Sequence, residues 1–532
     1  MLLITPEKLK EYENQADAAG FSFDQMMRAA GNGLAEMIHA RWLNLPKKIV
    51  TGLIGGGKNG ADTLIALTHL HSLGWIPYAI KMSPSALPEW IVEEYKNTGR
   101  LLEDYQDSHH LIEIINESSL ILDGIFGIGF TPPLQSELAE KMKLLKTHCQ
   151  AKTVIAVDCP SGTDCLSGTV EQSTLNADLT VCMEGVKTGL MKFPAFEYTG
   201  EICTVDVGIL KKLHRKLDVE DLVIDKSFVT RVLPERKRDS HKGSFGTVLV
   251  CGGSVNYPGA PVFAARAAYR IGAGLVKTAV PERIYDIAAS QCLISTWIVL
   301  DDERGVISES AAKVIKKELN KISCLAFGPG MGSEETTFRF LKESLTNSEG
   351  NGNLSGVGFL QSQNSLKTTK PGSFCPVVID ADGLRLLAKM PDWFSTIKHK
   401  FVLTPHPGEM SELTRLPIDE IQKNRIEICR RFAAEWHQVV VLKGAQTVVA
   451  SPEGRVGICP IASSALAKAG SGDVLTGLIA GLIAQGVDLF DAACMGVWIH
   501  GSAGLIAASK WGNERSIGID DILEFIPNAI NQ

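Results

Sequence analysis

The sequence predicts an α/β protein with two domains. Along the whole chain, short β-branched runs stop at glycines or polar residues and are followed by helical patterns, the alternation of strands and helices that α/β folds show. The chain has 532 residues, more than one hydrophobic core usually serves. Hydrophobic residues make up 45% of it and charged residues 21%, a balance typical of folded globular proteins.

Eight strand-like runs are the predicted strands of the two sheets, in their order along the chain. Each run carries its unusual residues just after it ends, at the edge of an open α/β sheet where ligands bind. The runs are KIVTGLIGGG from Lys47, LILDGIFGIG from Leu120, VIAVDCPSG from Val154, TVLVCGGS from Thr247, LAFGPGMG from Leu325, VVIDADG from Val377, FVLTPHPGE from Phe401 and VVVLKGAQT from Val439.

A highly charged stretch without strand-like alternation separates the two halves. We predict a first domain over residues 1–215, a linker over 216–240 and a second domain over 241–532. Residues 346–373 are rich in Gly, Ser, Asn and Thr and interrupt the strand rhythm. They predict a mobile surface insertion in the second domain.

Composition and charge exclude several classes of protein. The net charge of −7 gives no basic footprint for nucleic acid. The N-terminus turns charged within a few residues, unlike a secretory signal, and the apolar stretch at 474–486 is too short to span a bilayer. The 12 cysteines are scattered without a CxxC pair, as in reduced core thiols. We expect a cytoplasmic homo-oligomer that binds neither nucleic acid nor membrane.

The stretch AKAGSGDVLTG places Asp473 between a glycine loop and an apolar run with helical spacing, whose predicted end is Gly486. Free amides at a helix start attract phosphate. The acid either caps the helix or accepts a proton from a reacting hydroxyl. As a base it is expected to be ionised at neutral pH, because a helix N-terminus does not raise the pKa of a carboxyl group.

Lys443 in VVVLKGAQT adds a second set of phosphate-binding features, with Gly444 and Thr447 directly after it. Together with Lys468 and Asp473 these residues supply an amide cradle, positive charge and a base, the parts of phosphoryl transfer. A small-molecule kinase would use the same parts. The two functions differ in whether the phosphate stays on the product.

Three further polar residues follow strands of the second domain. His406 lies between two prolines that fix a rigid turn; it is either a positioned ligand contact or a solvated turn residue. Asp380 and Asp382 either approach a metal-bound phosphate or cap the next helix.

The motifs HKGSFGTVLVCGGS, PGAPVFAARAA, GPGMG, VVIDADG, LTPHPGEM, VVLKGAQT and AKAGSGDVLTGLIAG resemble, in that order, the dehydratase domain of the bifunctional NAD(P)H-hydrate repair enzymes. DGIFGIG, VDCPSG and VKTGLMKFP in the first half are similar to the NAD(P)HX epimerase domain of that family. The resemblance implies a Rossmann-like three-layer α/β/α domain followed by a ribokinase-like α/β/α domain.

The resemblance also implies a function: repair of NADHX and NADPHX, the hydrates of NADH and NADPH. The first domain would interconvert the R and S hydrates, and the second would dehydrate the S hydrate while consuming a nucleotide phosphate. Hydroxide is a poor leaving group, so phosphorylation of the ring hydroxyl followed by loss of phosphate is a workable route. Bacterial members use ADP and eukaryotic members ATP, with Mg²⁺; we expect ADP here.

Site residues of the second domain follow from the same resemblance. Asp473 would be the catalytic base. Substrate-binding positions are Ala260, Gly330, His406 and Asp473, and nucleotide-binding positions are Lys443, Gly444, Ala445, Gln446, Thr447 and Gly472.

In the first domain the resemblance makes Asp158 the acid/base residue. Asn59, Asp123 and Ser161 would bind K⁺, a hard cation that suits oxygen ligands. Without the resemblance, Asp158 would be a strand-end acid that holds its turn, and Lys187 would either meet phosphate or be solvated. Substrate-binding positions are Lys58, Asn59, Gly60, Ala61, Asp62, Gly127, Ile128, Gly129, Phe130, Thr131, Pro132, Pro133 and Asp158.

The first domain departs from the family pattern in one loop. The family has GNNGGDG where this chain has GKNGADT, so Lys58, Ala61 and Thr63 differ, and GIG with Ile128 replaces GTG. A Cβ where glycine allowed positive φ or close backbone approach predicts altered loop geometry or altered clearance for the ligand, and Lys58 is expected to compete with K⁺. The first domain is therefore either an epimerase site whose activity is slowed or lost, or a module that binds a nucleotide-like ligand without converting it.

Overall fold

The computed structural model describes residues 1–105, 108–216, 220–346 and 375–531. The chain divides into two compact units, Met1–Val223 and Ile224–Gln532, called here the N-terminal and the C-terminal unit. Apart from Thr346, the predicted insertion at 346–373 lies outside the described residues.

The N-terminal unit is built on a parallel sheet. Its described strands follow the order β4-β3-β2-β5-β6-β7-β9, with every neighbouring pair parallel. The elements are β1 (Leu3–Ile4), α1 (Pro6–Ala18), α2 (Phe23–Arg41), β2 (Ile49–Ile54), α3 (Lys58–Ser72), β3 (Ile76–Lys81), α4 (Glu89–Lys96), β4 (Leu102–Asp104), α5 (Ser108–Glu117), β5 (Leu120–Gly124), α6 (Ser136–His148), β6 (Thr153–Val157), β7 (Leu179–Met183), β8 (Val186–Lys187), β9 (Glu201–Val205), α7 (Ile209–Lys212) and β10 (Leu222–Val223).

Successive residues of β5 explain the layering of this unit. Leu120 and Leu122 pack in one core cluster with residues of α2 and α3, whereas Ile121 packs in a second cluster with residues of α5 and α6. Neighbouring side chains of a strand point to opposite faces of a sheet. Helices therefore cover both faces, which gives the predicted three-layer α/β/α arrangement.

The C-terminal unit has a larger, mostly parallel sheet. Within residues 224–532 its strands follow the order β21-β20-β19-β18-β17-β16-β11-β12-β13. Strand β20 runs antiparallel to both of its neighbours, β19 and β21. The elements are α8 (Lys226–Val232), β11 (Thr247–Cys251), α9 (Ala260–Arg270), β12 (Leu275–Pro281), α10 (Tyr285–Gln291), β13 (Thr296–Leu300), β14 (Asp302–Glu303), β15 (Val306–Ile307), α11 (Ala312–Leu319), β16 (Cys324–Phe327), α12 (Glu335–Leu345), β17 (Val377–Ile379), α13 (Asp382–Leu387), α14 (Trp393–Thr396), β18 (Phe401–Leu403), α15 (Pro407–Thr414), α16 (Ile418–Lys423), α17 (Arg425–Trp436), β19 (Val439–Leu442), β20 (Val448–Ala450), β21 (Val456–Ile458), α18 (Ser471–Ala484), α19 (Leu489–Trp511) and α20 (Ile519–Asn531).

All eight predicted strands are confirmed, as β2, β5, β6, β11, β16, β17, β18 and β19. The segment predicted as a linker, 216–240, is partly regular, because it contains β10 and α8. Phe228 and Val229 of α8 are buried, so this part of the segment packs against the protein instead of running free.

One described helix, α19, has the length and apolar composition of a membrane span. Of its most apolar window, 78% is buried inside the protein, as is typical of a core helix. The predicted helix after Asp473 is α18, and nearly all of its residues after the first turn are buried. All 12 cysteines are free thiols, and only Cys203 is not fully buried.

Candidate functional site

Asp473 lies in the first turn of α18, one of the most buried helices of the C-terminal unit. The N-cap residue is Gly470, with φ +92°, and Asp473 is the third residue of the helix. The capping interpretation of Asp473 is therefore wrong. Its half-buried carboxyl group accepts no hydrogen bond from any residue in the described part of the chain. The predicted end of the helix is confirmed, since Gly486 with φ +89° follows the C-cap Gln485.

The pKa of Asp473 differs from the expectation. Burial, and then the negative charge of Asp380, raises this pKa to about 8, although Lys443 acts in the opposite direction. The prediction that Asp473 is ionised at neutral pH is therefore wrong for the free protein. Desolvation of the carboxyl outweighs the favourable end of the helix dipole.

The Lys443 ammonium contacts two carboxylates near the start of α18. Its Nζ lies 2.5 Å from Asp380 Oδ1 and 3.7 Å from Glu409 Oε2. Thr476 of α18 donates a hydrogen bond of 2.8 Å to Asp380 Oδ2. Burial lowers the pKa of Lys443. The negative charges of Asp380 and Glu409 raise it by more than burial lowers it, so the net shift is upward. The Asp380 side chain thus holds Lys443 and α18 and does not cap the next helix.

The predicted nucleotide-binding residues form the turn between β19 and β20. Gly444 has φ +147°, a conformation that favours glycine, and Thr447 Oγ1 donates to its carbonyl oxygen at 2.9 Å. A Cβ placed on Gly472 would lie 3.5 Å from Lys443 Nζ. The structure therefore brings the turn 443–447, which includes Ala445 and Gln446, to the glycine-rich start of α18.

One basic residue lies away from its predicted place, and another makes a contact that the sequence did not indicate. The Lys468 ammonium donates to the Arg515 carbonyl at 2.6 Å, so it is not held at the cluster around Asp473. Arg425, which the sequence did not single out, donates to the carbonyl oxygens of Leu442 at 2.8 Å and of Lys443 at 3.2 Å. It fixes the backbone at the end of β19, and only the fold reveals this contact.

The predicted substrate-binding residues of this unit also follow strands. Gly330 has φ +64°, and a Cβ on it would lie 3.0 Å from Ala260 Cβ, so these two residues are in contact. His406 is the N-cap of α15, and its Nδ1 accepts from Gly408 N at 3.0 Å. It is a helix cap whose side chain is 46% exposed, so it is both structured and open to solvent. Asp382 accepts from Gly332 N at 3.0 Å.

The N-terminal unit contains a cavity of about 1100 Å³. The helix face of α3 that carries Lys58, Asn59 and Asp62 borders it. Of the predicted substrate-binding residues, Lys58, Asn59, Asp62, Gly127, Ile128, Gly129, Phe130, Thr131, Pro133 and Asp158 line the cavity, whereas Gly60, Ala61 and Pro132 do not.

The predicted change of loop geometry at residues 58–63 is wrong, and neither Ala61 nor Thr63 lines the cavity where it could reduce the clearance for a ligand. Residues 58–63 are the first turns of α3, and neither Ala61 nor Thr63 has positive φ. A Cβ on Gly60 would lie 2.0 Å from the Gly55 carbonyl oxygen, so this side of the helix packs on the backbone and not on the cavity. The ammonium of Lys58 is paired with Glu13 at 2.8 Å and is not directed at the predicted potassium ligands.

The three predicted potassium ligands converge beside the cavity. Ser161 N donates to Asp123 Oδ2 at 2.9 Å, and Ser161 Oγ donates to Asp123 Oδ1 at 2.5 Å. Asn59 Nδ2 donates to Phe126 O at 2.7 Å. Asn59 Oδ1 is buried without a hydrogen-bond partner among the described residues. A carboxylate, a hydroxyl, a backbone carbonyl and an orphaned amide oxygen form a donor set that fits a hard cation.

Asp158 follows β6 with φ +69° and borders the same cavity. One carboxylate oxygen, Oδ1, accepts from Met183 N at 2.9 Å and from Lys187 Nζ. Lys187 is fully buried, so both interpretations of it, as a phosphate ligand or as a solvated side chain, are wrong. Burial is the largest single influence and lowers the pKa of Lys187, but the charge and hydrogen bond of Asp158, together with the nearby Cys182, outweigh it, so the net shift is upward.

Comparisons with known proteins separate the two halves as the sequence does. Residues 248–528, more than half of the chain, match the model of the family described as NAD(P)H-hydrate dehydratase. Residues 23–189 match the family described as YjeF-related protein N-terminus. Over 518 residues the chain is 33% identical to the bifunctional NAD(P)H-hydrate repair enzyme Nnr of Moorella thermoacetica, covering 95% of this chain and 92% of that protein.

The chain belongs to the bifunctional NAD(P)H-hydrate repair enzymes. The Escherichia coli member of this repair family is 27% identical over 512 residues, covering 95% of this chain and 89% of that protein. Among solved structures, the chain is similar to the ADP/ATP-dependent NAD(P)H-hydrate dehydratase of Bacillus subtilis, co-crystallised with ATP and Mg²⁺. That structure is 27% identical, with a TM-score of 0.46, over 59% of this chain and 99% of that chain.

Proposed function

We propose that this chain repairs NADHX and NADPHX: its C-terminal unit dehydrates the S hydrate with a nucleotide as phosphoryl donor, and its N-terminal unit interconverts the R and S hydrates. The observation that carries the proposal is the carboxyl of Asp473, which has no hydrogen-bond partner in the described part of the chain and lies beside Lys443 and a glycine-rich helix start. A cytoplasmic homo-oligomer without nucleic-acid or membrane binding stays a prediction.

Dehydration follows from that arrangement in two steps. Asp473 takes the proton of the ring hydroxyl as its oxygen attacks the terminal phosphorus of the nucleotide, whose bridging P–O bond breaks. The phosphorylated hydrate then expels inorganic phosphate: the ring nitrogen supplies the electron pair for this loss, and release of a proton from the adjacent ring carbon restores the dihydronicotinamide. Lys443 and the amides of the 443–447 turn and of the α18 start bind the phosphates.

Mg²⁺ fits this site as a companion of the nucleotide. Within the described ranges, no group of three His, Cys, Asp or Glu side chains is placed to hold a metal ion, and Mg²⁺ commonly binds through phosphate oxygens and water with few protein ligands. When bound, the ion would neutralise charge on the phosphates. We propose ADP as the donor, in line with the family resemblance.

One assay distinguishes a hydrate dehydratase from a small-molecule kinase, which would use the same phosphate-binding residues and the same base. The purified chain receives mixed hydrate epimers with ADP or ATP, while NADH absorbance and inorganic phosphate are followed together. We expect NADH and free phosphate in equal amounts, and faster with ADP. A stable phosphorylated product without NADH would instead identify a small-molecule kinase.

The dehydration rate is expected to rise with pH. Because the pKa of Asp473 lies at about 8 in the free protein, the carboxyl is mostly protonated below that pH and cannot accept the hydroxyl proton. The value of kcat/KM, which reports the free enzyme, should therefore increase up to about pH 8 and level off above it. A profile that falls across this range would contradict the role of Asp473 as the base.

Potassium is expected to stabilise the N-terminal unit. The orphaned Asn59 Oδ1, with Asp123 and Ser161 beside it, gives K⁺ a binding site that the unfolded chain lacks. An ion that binds only the folded state at a hundred times its dissociation constant stabilises by about 2.7 kcal/mol. Thermal unfolding of the full chain in KCl and in choline chloride of equal ionic strength measures this effect, and Asn59→Leu should remove it. Equal melting temperatures in both salts would rule the site out.

A further inference from the structure

Five acidic residues line the cavity of the N-terminal unit, and two of them, Asp62 and Asp158, have opposite surroundings. Asp158 is ion-paired with the buried Lys187 and accepts a backbone hydrogen bond from Met183. Asp62 lies on the face of α3 toward the cavity. Its Oδ1 is buried and has no hydrogen-bond partner within the described residues. Two acids in one cavity with such different environments are suited to opposite roles in proton transfer.

The charges around Asp62 favour its acid form. Its pKa is well above the ordinary value, chiefly because of burial, and the negative charges of Asp158 and Glu13 add to the effect. Lys58 and Lys187 act in the opposite direction, but each is engaged elsewhere: Lys58 pairs with Glu13, and Lys187 with Asp158. These surroundings favour the protonated carboxyl of Asp62, the form that can donate a proton.

We propose that Asp62 donates a proton to the departing ring hydroxyl of the hydrate during epimerisation, and that Asp158 accepts a proton from the water that adds back. This assignment rests on the proposed epimerase function of the N-terminal unit. It gives a catalytic role to a residue that sequence reasoning placed only among the substrate contacts.

The steps balance. The carbon–oxygen bond of the hydrate breaks, its electron pair stays on the oxygen, and the proton of Asp62 converts that oxygen into water. The ring nitrogen supplies its lone pair to form a carbon–nitrogen double bond. Water then adds to the other face of the ring carbon, the electron pair returns to nitrogen, and Asp158 takes the surplus proton. Transfer of that proton from Asp158 to Asp62 through cavity water restores both groups.

The test uses the full chain with the R hydrate and follows the S hydrate by chromatography, without nucleotide. Asp62→Asn should lower the rate by roughly 10²-fold or more, because it removes a general acid. Asp62→Glu should recover part of the loss. Asp104→Asn is the control, since Asp104 is an N-terminal-unit acid that is 81% exposed, and it should leave the rate unchanged. The wild-type rate should fall at high pH, and Asp62→Asn should lose that fall.

Two further readouts separate chemistry from folding. The Asp62→Asn chain should keep the K⁺-dependent melting shift and the nucleotide-dependent dehydration of the S hydrate. In H₂¹⁸O, wild-type product should contain ¹⁸O at the inverted carbon. Full epimerase activity in Asp62→Asn, or product without ¹⁸O, would overturn this assignment while leaving the epimerase function intact. A wild-type chain that does not interconvert the epimers would instead overturn the proposed function itself.

Discussion

Replacing Asp473 by asparagine is expected to lower nucleotide-dependent formation of NADH from the S hydrate by roughly 10²- to 10⁴-fold or more. Asparagine has nearly the shape of aspartate but cannot take the hydroxyl proton. The carboxyl has no hydrogen-bond partner in the described part of the chain, so the substitution breaks no such contact and folding should be unaffected. The rate is measured as the appearance of NADH absorbance with saturating ADP.

A matched control is available in the same unit. Asp419 is also an acid in the first turn of a helix, but it is exposed. Asp419→Asn should keep the wild-type rate, and Asp473→Asn should still bind nucleotide with little change in affinity, because the phosphates are held by Lys443 and backbone amides. Wild-type turnover in Asp473→Asn would remove this residue from the mechanism.

The second large effect is on stability. Lys187→Met should lower the free energy of unfolding by about 3–5 kcal/mol, the usual result of leaving one member of a buried ion pair alone. Lys187 is fully buried and its ammonium is paired with Asp158, so methionine leaves the Asp158 carboxylate without its counter-charge. Chemical denaturation of the full chain measures the loss. Epimerisation should be lost as well, since the Asp158 carboxyl loses the ammonium that positions it at the cavity.

An exposed ion pair of the same unit supplies the comparison. In the pair Lys211–Asp206 the side chains are 78% and 59% exposed, so Lys211→Met should leave stability nearly unchanged. Replacing both buried partners, with Lys187→Met and Asp158→Asn together, should recover most of the stability without recovering epimerisation, because asparagine is neutral, tolerates φ +69° and still accepts from Met183 N. If Lys187→Met were no less stable than Lys211→Met, the buried pair would not have the importance assigned to it.

The sequence predicted the strands and the sheet edges well, for a physical reason. A buried parallel strand needs a continuous run of apolar β-branched residues, and such runs are visible at β5, β6 and β19 without any tertiary information. Because parallel strands end at one edge, residues after different strands meet there. Asp123 and Asp158, or Asp380 and Lys443, are therefore expected to lie near each other once the strands are known.

The electrostatics could not be predicted in the same way. The pKa of Asp473 depends on how deeply α18 is buried and on the charge of Asp380, which comes from a strand 93 positions earlier in the numbering. The burial of Lys187 and its pairing with Asp158 depend on β8 in the same manner. Local sequence favours a solvated lysine, and only the packing of distant elements removes it from water.

The effect of the departures from the family motif on the backbone could not be predicted from the sequence either. Ala61 and Thr63 replace glycines of the pattern, and a reading of the motif as a loop predicts strain. In the structure these positions are helical, and Thr63 Oγ1 donates to the Asn59 carbonyl at 2.7 Å. Helical backbone accepts a Cβ without strain, so the residues facing the cavity, not those behind them, decide whether this unit is active.

Both proposed activities are tested at once when the purified chain receives only the R hydrate and ADP. The measurement is the rate at which NADH forms. If the N-terminal unit interconverts the epimers and the C-terminal unit dehydrates the S form, NADH should appear to completion and faster than spontaneous epimerisation allows. NADH formation no faster than the spontaneous interconversion would contradict the epimerase half, and no NADH even from the S hydrate would contradict the dehydratase half.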